Sequence, residues 1–138
     1  MKGASMLTIA DIMTRNVYQV DASALAGEAA WGLTRRHIGG APARDDEGNL
    51  VGVLSQSDLI NPEPAQWIKG EPTVGDLMNP EVFTLYAGDP AIAAVTEMAK
   101  RNVHRIFVLD EESKLAGVVT PMDIVRALAR GDSFALDD

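Results

Sequence analysis

LVGVLSQSDLI (Leu50–Ile60) recurs 65 residues later as LAGVVTPMDIV (Leu115–Val125). Each copy opens with a short apolar, β-favouring run interrupted by one glycine. It then passes through a hydroxyl residue, Ser55 or Thr120, to an acid three positions on, Asp58 or Asp123, and ends in apolar residues. A strand that turns directly into a helix reads this way, with the hydroxyl residue where the helix begins and the acid on its first turn. Outward from this block the same offset holds without a gap. Thr8 falls on Thr73, Asp11 on Asp76, Met13 on Met78, Val17 on Val82, Arg36 on Arg101 and Asp45 on Asp110. Roughly a quarter of positions 8–60 are identical to their partners, and a register held that long marks an internal duplication.

Each half carries the same elements. TIAD (Thr8–Asp11) and TVGD (Thr73–Asp76) match a capping box and predict a short helical turn. VYQV (Val17–Val20) and VFTL (Val82–Leu85) predict strands. In the second half Asp89-Pro90 reads as an N-cap followed by proline at the first helical position, with Ile92, Val95 and Met98 at helical spacing. Arg105–Leu109 is a continuous apolar run and predicts a buried strand. The polar segment Asp110–Lys114 predicts a hairpin turn into Leu115–Val119, then a closing helix over Ile124–Ala129 with Gly131 just past its end. The order is β-α-β-β-α, twice. One such unit is too small to cover its sheet, so the two are expected to pack sheet to sheet around a single core. The domain reading is 7–60 for the first repeat, 61–71 for a Pro- and charge-rich linker and 72–130 for the second repeat, with flexible ends at 1–6 and 131–138. Trp67 and Ile68 in the linker are expected to pack on the body.

Composition narrows the function classes. With 46% hydrophobic and 23% charged residues the chain reads as a globular, soluble protein. A net charge of -8 repels a phosphate backbone and argues against nucleic-acid binding. No cysteine is present, which excludes disulfides and thiolate chemistry; the two histidines, His37 and His104, are not spaced as metal ligands. No signal-peptide pattern or long apolar run is seen, so the expectation is a cytoplasmic protein that does not enter a membrane. Nothing supplies a nucleophile with an adjacent base, so catalysis is not expected.

DIMTRNVYQV with GNLVGVLSQSDLI, and DLMNPEVFTL with HRIFVLDEESKLAGVVTPMDIV, resemble the motifs of cystathionine-β-synthase (CBS) domains, from about Leu7 to Leu128. The resemblance implies an α/β (α+β) fold of two βαββα CBS units related by a pseudo-two-fold axis. It also implies adenosine-type ligands in clefts between the repeats, and further pairing into homodimers.

The residues fit that implication. A helix N-terminus presents free N–H groups and partial positive charge, which suits phosphate. Ser55 or Thr120 can donate a further hydrogen bond, and Asp58 or Asp123 can accept from ribose hydroxyls. The other reading is that S/T-x-x-D only caps a helix. In the second repeat His104-Arg105 resembles the pair that grips nucleotide phosphates in AMP-sensing members of the family. A pairing of Arg105 with Asp110 or Glu111 is the alternative. Gly39-Gly40 stand at these positions in the first repeat. Thr84 is placed by the resemblance near base or ribose, where the first repeat has Gln19, and Val17 and Val82 would flank the adenine. Arg35 and Arg36 read as helix C-terminal cations; Arg44 is unexpected in an apolar strand.

The expected function is a regulatory module that binds AMP, ADP, ATP or S-adenosylmethionine and relays to a separate effector protein. No cofactor or metal is required. The alternative is a ligand-free oligomerisation scaffold with vestigial clefts.

Overall fold

The computed structural model describes residues 6–60 and 70–135. The expected order appears twice. The first set is α1 (Ile9–Ile12), β1 (Val20–Asp21), α2 (Ala26–Arg36), β2 (Gly40–Arg44), β3 (Leu50–Ser55) and α3 (Gln56–Ile60). The second is α4 (Val74–Leu77), β4 (Thr84–Tyr86), α5 (Ala91–Arg101), β5 (Ile106–Leu109), β6 (Leu115–Val119) and α6 (Pro121–Ala129). The strands form two three-stranded sheets, β1-β2-β3 and β4-β5-β6, each with one parallel and one antiparallel pair.

Two compact units divide the chain, and they are not the two repeats. One joins the residues up to Val17 to those from Phe83 onward; the other is Tyr18–Val82. The opening turn of each repeat therefore belongs to the core of the other. Ile9 and Ile12 are buried with Ala91, Ala94, Ile106, Val108 and Val119, while Val74 and Leu77 are buried with Val20, Ala26, Leu33, Ala43 and Leu54. Backbone bonds tie the turns in place: Ile9 N–H to Asp89 and Ala91 N–H to Leu7 in one unit, Val74 N–H to Ala24 and Ala26 N–H to Pro72 in the other. Where a single core was expected, the buried side chains form two clusters, because the borrowed turn helps each sheet to cover its apolar face.

Local chemistry accounts for the element ends. The Thr8 and Thr73 N–H groups donate to Asp11 and Asp76 at 2.8 and 2.9 Å, the reciprocal half of the expected capping boxes. In each hairpin the first carboxylate, Asp45 or Asp110, accepts two backbone N–H groups, and Gly48 or Ser113 takes positive φ. Past α6, Gly131 (φ 90°) donates to Leu128 and Asp132 donates to Ala127, so the expected glycine ends that helix in a Schellman motif.

Several boundaries differ from expectation: β5 begins at Ile106 rather than Arg105, and α6 begins at Pro121 rather than Ile124. Helix α5 begins at Ala91 with Pro90 at the N-cap, and Asp89 instead accepts the Tyr86 N–H at 2.9 Å. Strands β1 and β4 start two or three residues later than VYQV and VFTL implied. Strand β1 is also shorter than β4. Phe107 donates its N–H to Phe83 at 3.0 Å, whereas Pro42, at the equivalent position, has no N–H to offer Tyr18. Arg44 ends β2 at a register shift and pairs with Asp21 at 2.8 Å, so it never enters the apolar interior. Trp67 and Ile68 lie outside the described residues.

Candidate functional site at the β6–α6 junction

In the first unit β6 ends at Val119 and α6 begins at Pro121, so Thr120 sits at the N-cap and Asp123 at the third helical position. Asp123 is 5% exposed, the one buried charged residue among those described. A buried carboxylate is tolerable only where donors surround it. One oxygen, Oδ2, accepts from the Thr120 N–H at 2.8 Å and from the Thr120 hydroxyl at 3.1 Å. The other, Oδ1, accepts from the Thr14 hydroxyl at 2.7 Å, and the exposed guanidinium of Arg126 stands 3.5 Å away.

Thr14 is placed by its backbone. Its N–H donates to Val118 at 2.8 Å and its carbonyl accepts from Val118 at 3.0 Å. The approach is so close that a Cβ on Gly117 would stand 2.7 Å from the Thr14 carbonyl oxygen. That explains the glycine inside the apolar run of β6.

The β5–β6 ladder pairs Ile106 with Val119, and that register carries Arg105 alongside Thr120. His104 is exposed and Arg105 half-buried. Neither forms an ion pair with a described residue, and Asp110 is occupied by the Glu112 and Lys114 N–H groups of its own turn. Thr84 is exposed on the edge strand β4, opposite Phe107, and Val17 lies in the same unit. The structure thus places Val17, Thr84, His104, Arg105, Thr120 and Asp123 in one unit.

The second unit holds Ser55, Asp58 and Val82 with Gln19, Gly39 and Gly40. Asp58 Oδ2 accepts from the Ser55 N–H at 2.8 Å and the Ser55 hydroxyl at 3.0 Å, as in the first unit. Gly40 pairs with Ser55 across the ladder, where Arg105 would stand in the other repeat. Asn79, the counterpart of Thr14, makes the same backbone bridge to Val53, but its side chain accepts the Glu81 N–H at 2.9 Å. No third donor therefore reaches Asp58 among the described residues. One further asymmetry follows from a proline. Gln56 donates its N–H to Gly39 at 2.8 Å, and Pro121 at the equivalent place cannot do so for His104.

Two electrostatic features stand apart from this junction. Arg36 stacks over the Tyr18 ring at 3.9 Å and donates to the Gly32 carbonyl, while Arg35 lies 4.5 Å over Trp31. The side-chain hydrogen bond from Arg101 holds the Glu97 carboxyl below its ordinary range. Among the described residues no cluster of three His, Asp or Glu side chains could hold a metal, and no helix is long and apolar enough to cross a membrane.

Sequence reading singled out Thr120 and Asp123 but missed Thr14. The available signal was DIMT, which repeats as DLMN; the hydroxyl of Thr14 stands where the second block has the amide of Asn79. Pairing it with a carboxylate 109 residues away needs the exchange of opening turns.

The CBS domain model matches residues 9–62 and 74–130. The chain is 27% identical over 124 residues to Uncharacterized protein MJ1232 of Methanocaldococcus jannaschii; the match takes in 89% of this chain and 40% of that relative's length. The chain spans less than half the length of the curated relatives it matches. Among solved structures it is similar to CBSX2 in complex with AMP, with TM-score 0.79, 29% identity and coverage of 92% of this chain and 99% of the other. It is also similar to the CBS domain pair of protein MJ0100 in complex with 5′-methylthioadenosine and S-adenosyl-L-methionine, with TM-score 0.73, 25% identity and coverage of 91% and 98%.

Proposed function

This chain belongs to the CBS-domain family, and from that premise we propose that it is a regulatory module that binds an adenosine-type ligand, AMP, ADP, ATP or S-adenosylmethionine, and relays its occupancy to a separate effector protein. The observation that carries the reading is the buried carboxylate of Asp123 on the first turn of α6, with Arg105 alongside Thr120 and in no ion pair with a described residue. A carboxylate accepts ribose hydroxyls, and an arginine fork with a helix N-terminus suits phosphate. His104 adds a donor, and Thr84 and Val17 supply polar and apolar surface in the same unit. Similar structures solved with AMP, 5′-methylthioadenosine and S-adenosylmethionine support the ligand class. Ser55, Asp58 and Val82 are the corresponding, less cationic set. The relay requires that the ligand bind two arrangements of the protein with different affinity. No reaction step and no cofactor enter this reading.

The test is calorimetry with AMP, ADP, ATP and S-adenosylmethionine on the intact chain and on Asp123→Ala. At 100 times its dissociation constant a ligand adds about 2.7 kcal/mol of stability to the folded state. Absence of heat and of thermal shift with all four at millimolar concentration defeats the proposal.

A second reading, a scaffold without ligand, is favoured by one observation. The Thr120 and Ser55 N–H groups both donate to the carboxylate three residues on, as in a capping box. Under that reading Asp123→Ala changes stability and nothing else. Either reading includes self-association into homodimers, supported by exposed Trp31 (62%), Met122, Val125 and Leu128; sedimentation of the purified chain at a dimer mass is the expected result.

A further inference from the structure

We propose that the Thr14 hydroxyl is a built-in stand-in for a ligand hydroxyl, occupying Asp123 Oδ1 until a ribose takes its place and so weakening the affinity of this carboxylate. The inference rests on the reading of Asp123 as a hydroxyl acceptor. The 2.7 Å bond from Thr14 Oγ1 to Asp123 Oδ1 is an O–H···O⁻ contact of the kind a ribose hydroxyl makes. Because Asp123 is 5% exposed, an incoming hydroxyl finds its carboxylate already supplied with donors. Oδ2 is held by both groups of Thr120, which are fixed by the start of α6, so Oδ1 is the oxygen that can exchange.

Exchange is mechanically simple. The Thr14 backbone is pinned to Val118 by two hydrogen bonds, yet its side chain turns about a single bond and the residue is exposed. Ligand entry then replaces one hydroxyl–carboxylate bond with another, and little is gained. Asp58 differs. Its counterpart donor, Asn79, is turned to the Glu81 N–H, so a ribose hydroxyl there adds a bond and displaces none. Thr14 thereby sets the two repeats apart in affinity for the same chemical group. Arg126 stands 3.5 Å from Oδ1 with its side chain 63% exposed, too distant and too solvated to replace the Thr14 hydroxyl as a donor.

The test measures AMP and 2′,3′-dideoxy-AMP binding by calorimetry to the intact chain and to Thr14→Val, Thr14→Ala and Thr14→Ser, with thermal melting to show that each is folded. Thr14→Val and Thr14→Ala are expected to bind AMP about tenfold tighter, the worth of one hydrogen bond to a charged group. Dideoxy-AMP binding is expected to be unchanged, and Thr14→Ser to stay at the wild-type value. AMP affinity that is unchanged or weaker in both Thr14→Val and Thr14→Ala overturns this proposal while leaving the adenosine-ligand reading intact. AMP binding with unchanged stoichiometry and affinity in Asp123→Ala overturns this proposal by removing Asp123 as the hydroxyl acceptor, and no AMP binding by the intact chain overturns both.

Discussion

The Tyr18 hydroxyl lies against α2 at the place where a Cβ on Gly32 would stand. One turn further along the helix Arg36 covers the same ring at 3.9 Å, so the tyrosine is held between a missing side chain and a cation. Glycine in a helix interior is ordinarily worse than alanine by about 1 kcal/mol. Here Gly32→Ala is expected to destabilise the fold by about 1–3 kcal/mol through overpacking. Urea unfolding measures it, and Tyr18→Phe in the same chain is expected to recover part of the loss. An alanine variant more stable than the wild type contradicts the packing.

Gly117→Ala acts on the opposite face of the same problem. Its Cβ would meet the Thr14 carbonyl oxygen and the Met13 sulfur, each at 2.7 Å. A backbone atom cannot step aside as a side chain can, so a loss of about 1–3 kcal/mol is expected. The Thr14 and Val118 amides should also exchange with solvent faster. Gly88→Ala, with nothing within 4 Å of its Cβ, is the control and is expected to be neutral.

Helix α2 has Leu25 at its N-cap, which offers no side-chain acceptor, and Glu71 supplies one from outside by accepting the Gly27 N–H at 2.5 Å. Glu71→Ala should cost about 0.5–2 kcal/mol, the ordinary worth of a helix cap. Glu71→Gln keeps an acceptor oxygen without the charge and is expected to fall between the two. Amide exchange at Gly27 reports the change directly.

Glu97 carries the clearest pH signature. Its carboxylate accepts from the Arg101 guanidinium at 2.7 Å, which lowers its folded pKa below the unfolded value. The stabilisation is therefore full above the unfolded pKa and disappears as pH falls through the folded one. Carbon-detected NMR titration should place Glu97 below the ordinary glutamate range, and Arg101→Gln should return it. A Glu97 midpoint unmoved by that substitution counts against the contact.

The duplication, the order of elements and the strand-to-helix junctions were legible in the sequence because they depend on periodicity and on residues a few positions apart. Thr8, Thr73, Ser55 and Thr120 each announce a helix start through an acid three places on, and the structure honours all four. The core assignment was not legible. Ile9 and Val74 are apolar in either arrangement, and nothing local says which sheet they cover. The start of β1 was misjudged because VYQV favours extended backbone throughout, while pairing depends on a donor in the neighbouring strand, which Pro42 lacks. At the candidate site the acid and its cap could be read, but the Thr14 hydroxyl could not, since it arrives from another part of the chain.

The exchanged opening turns bear on what one repeat can do alone. Each repeat brings a three-stranded sheet but lends its opening turn to the sheet of the other. A single copy cut free at the junction lacks the isoleucines or the valine–leucine pair that close its own interior, so it is expected to stay unfolded unless a second copy supplies them.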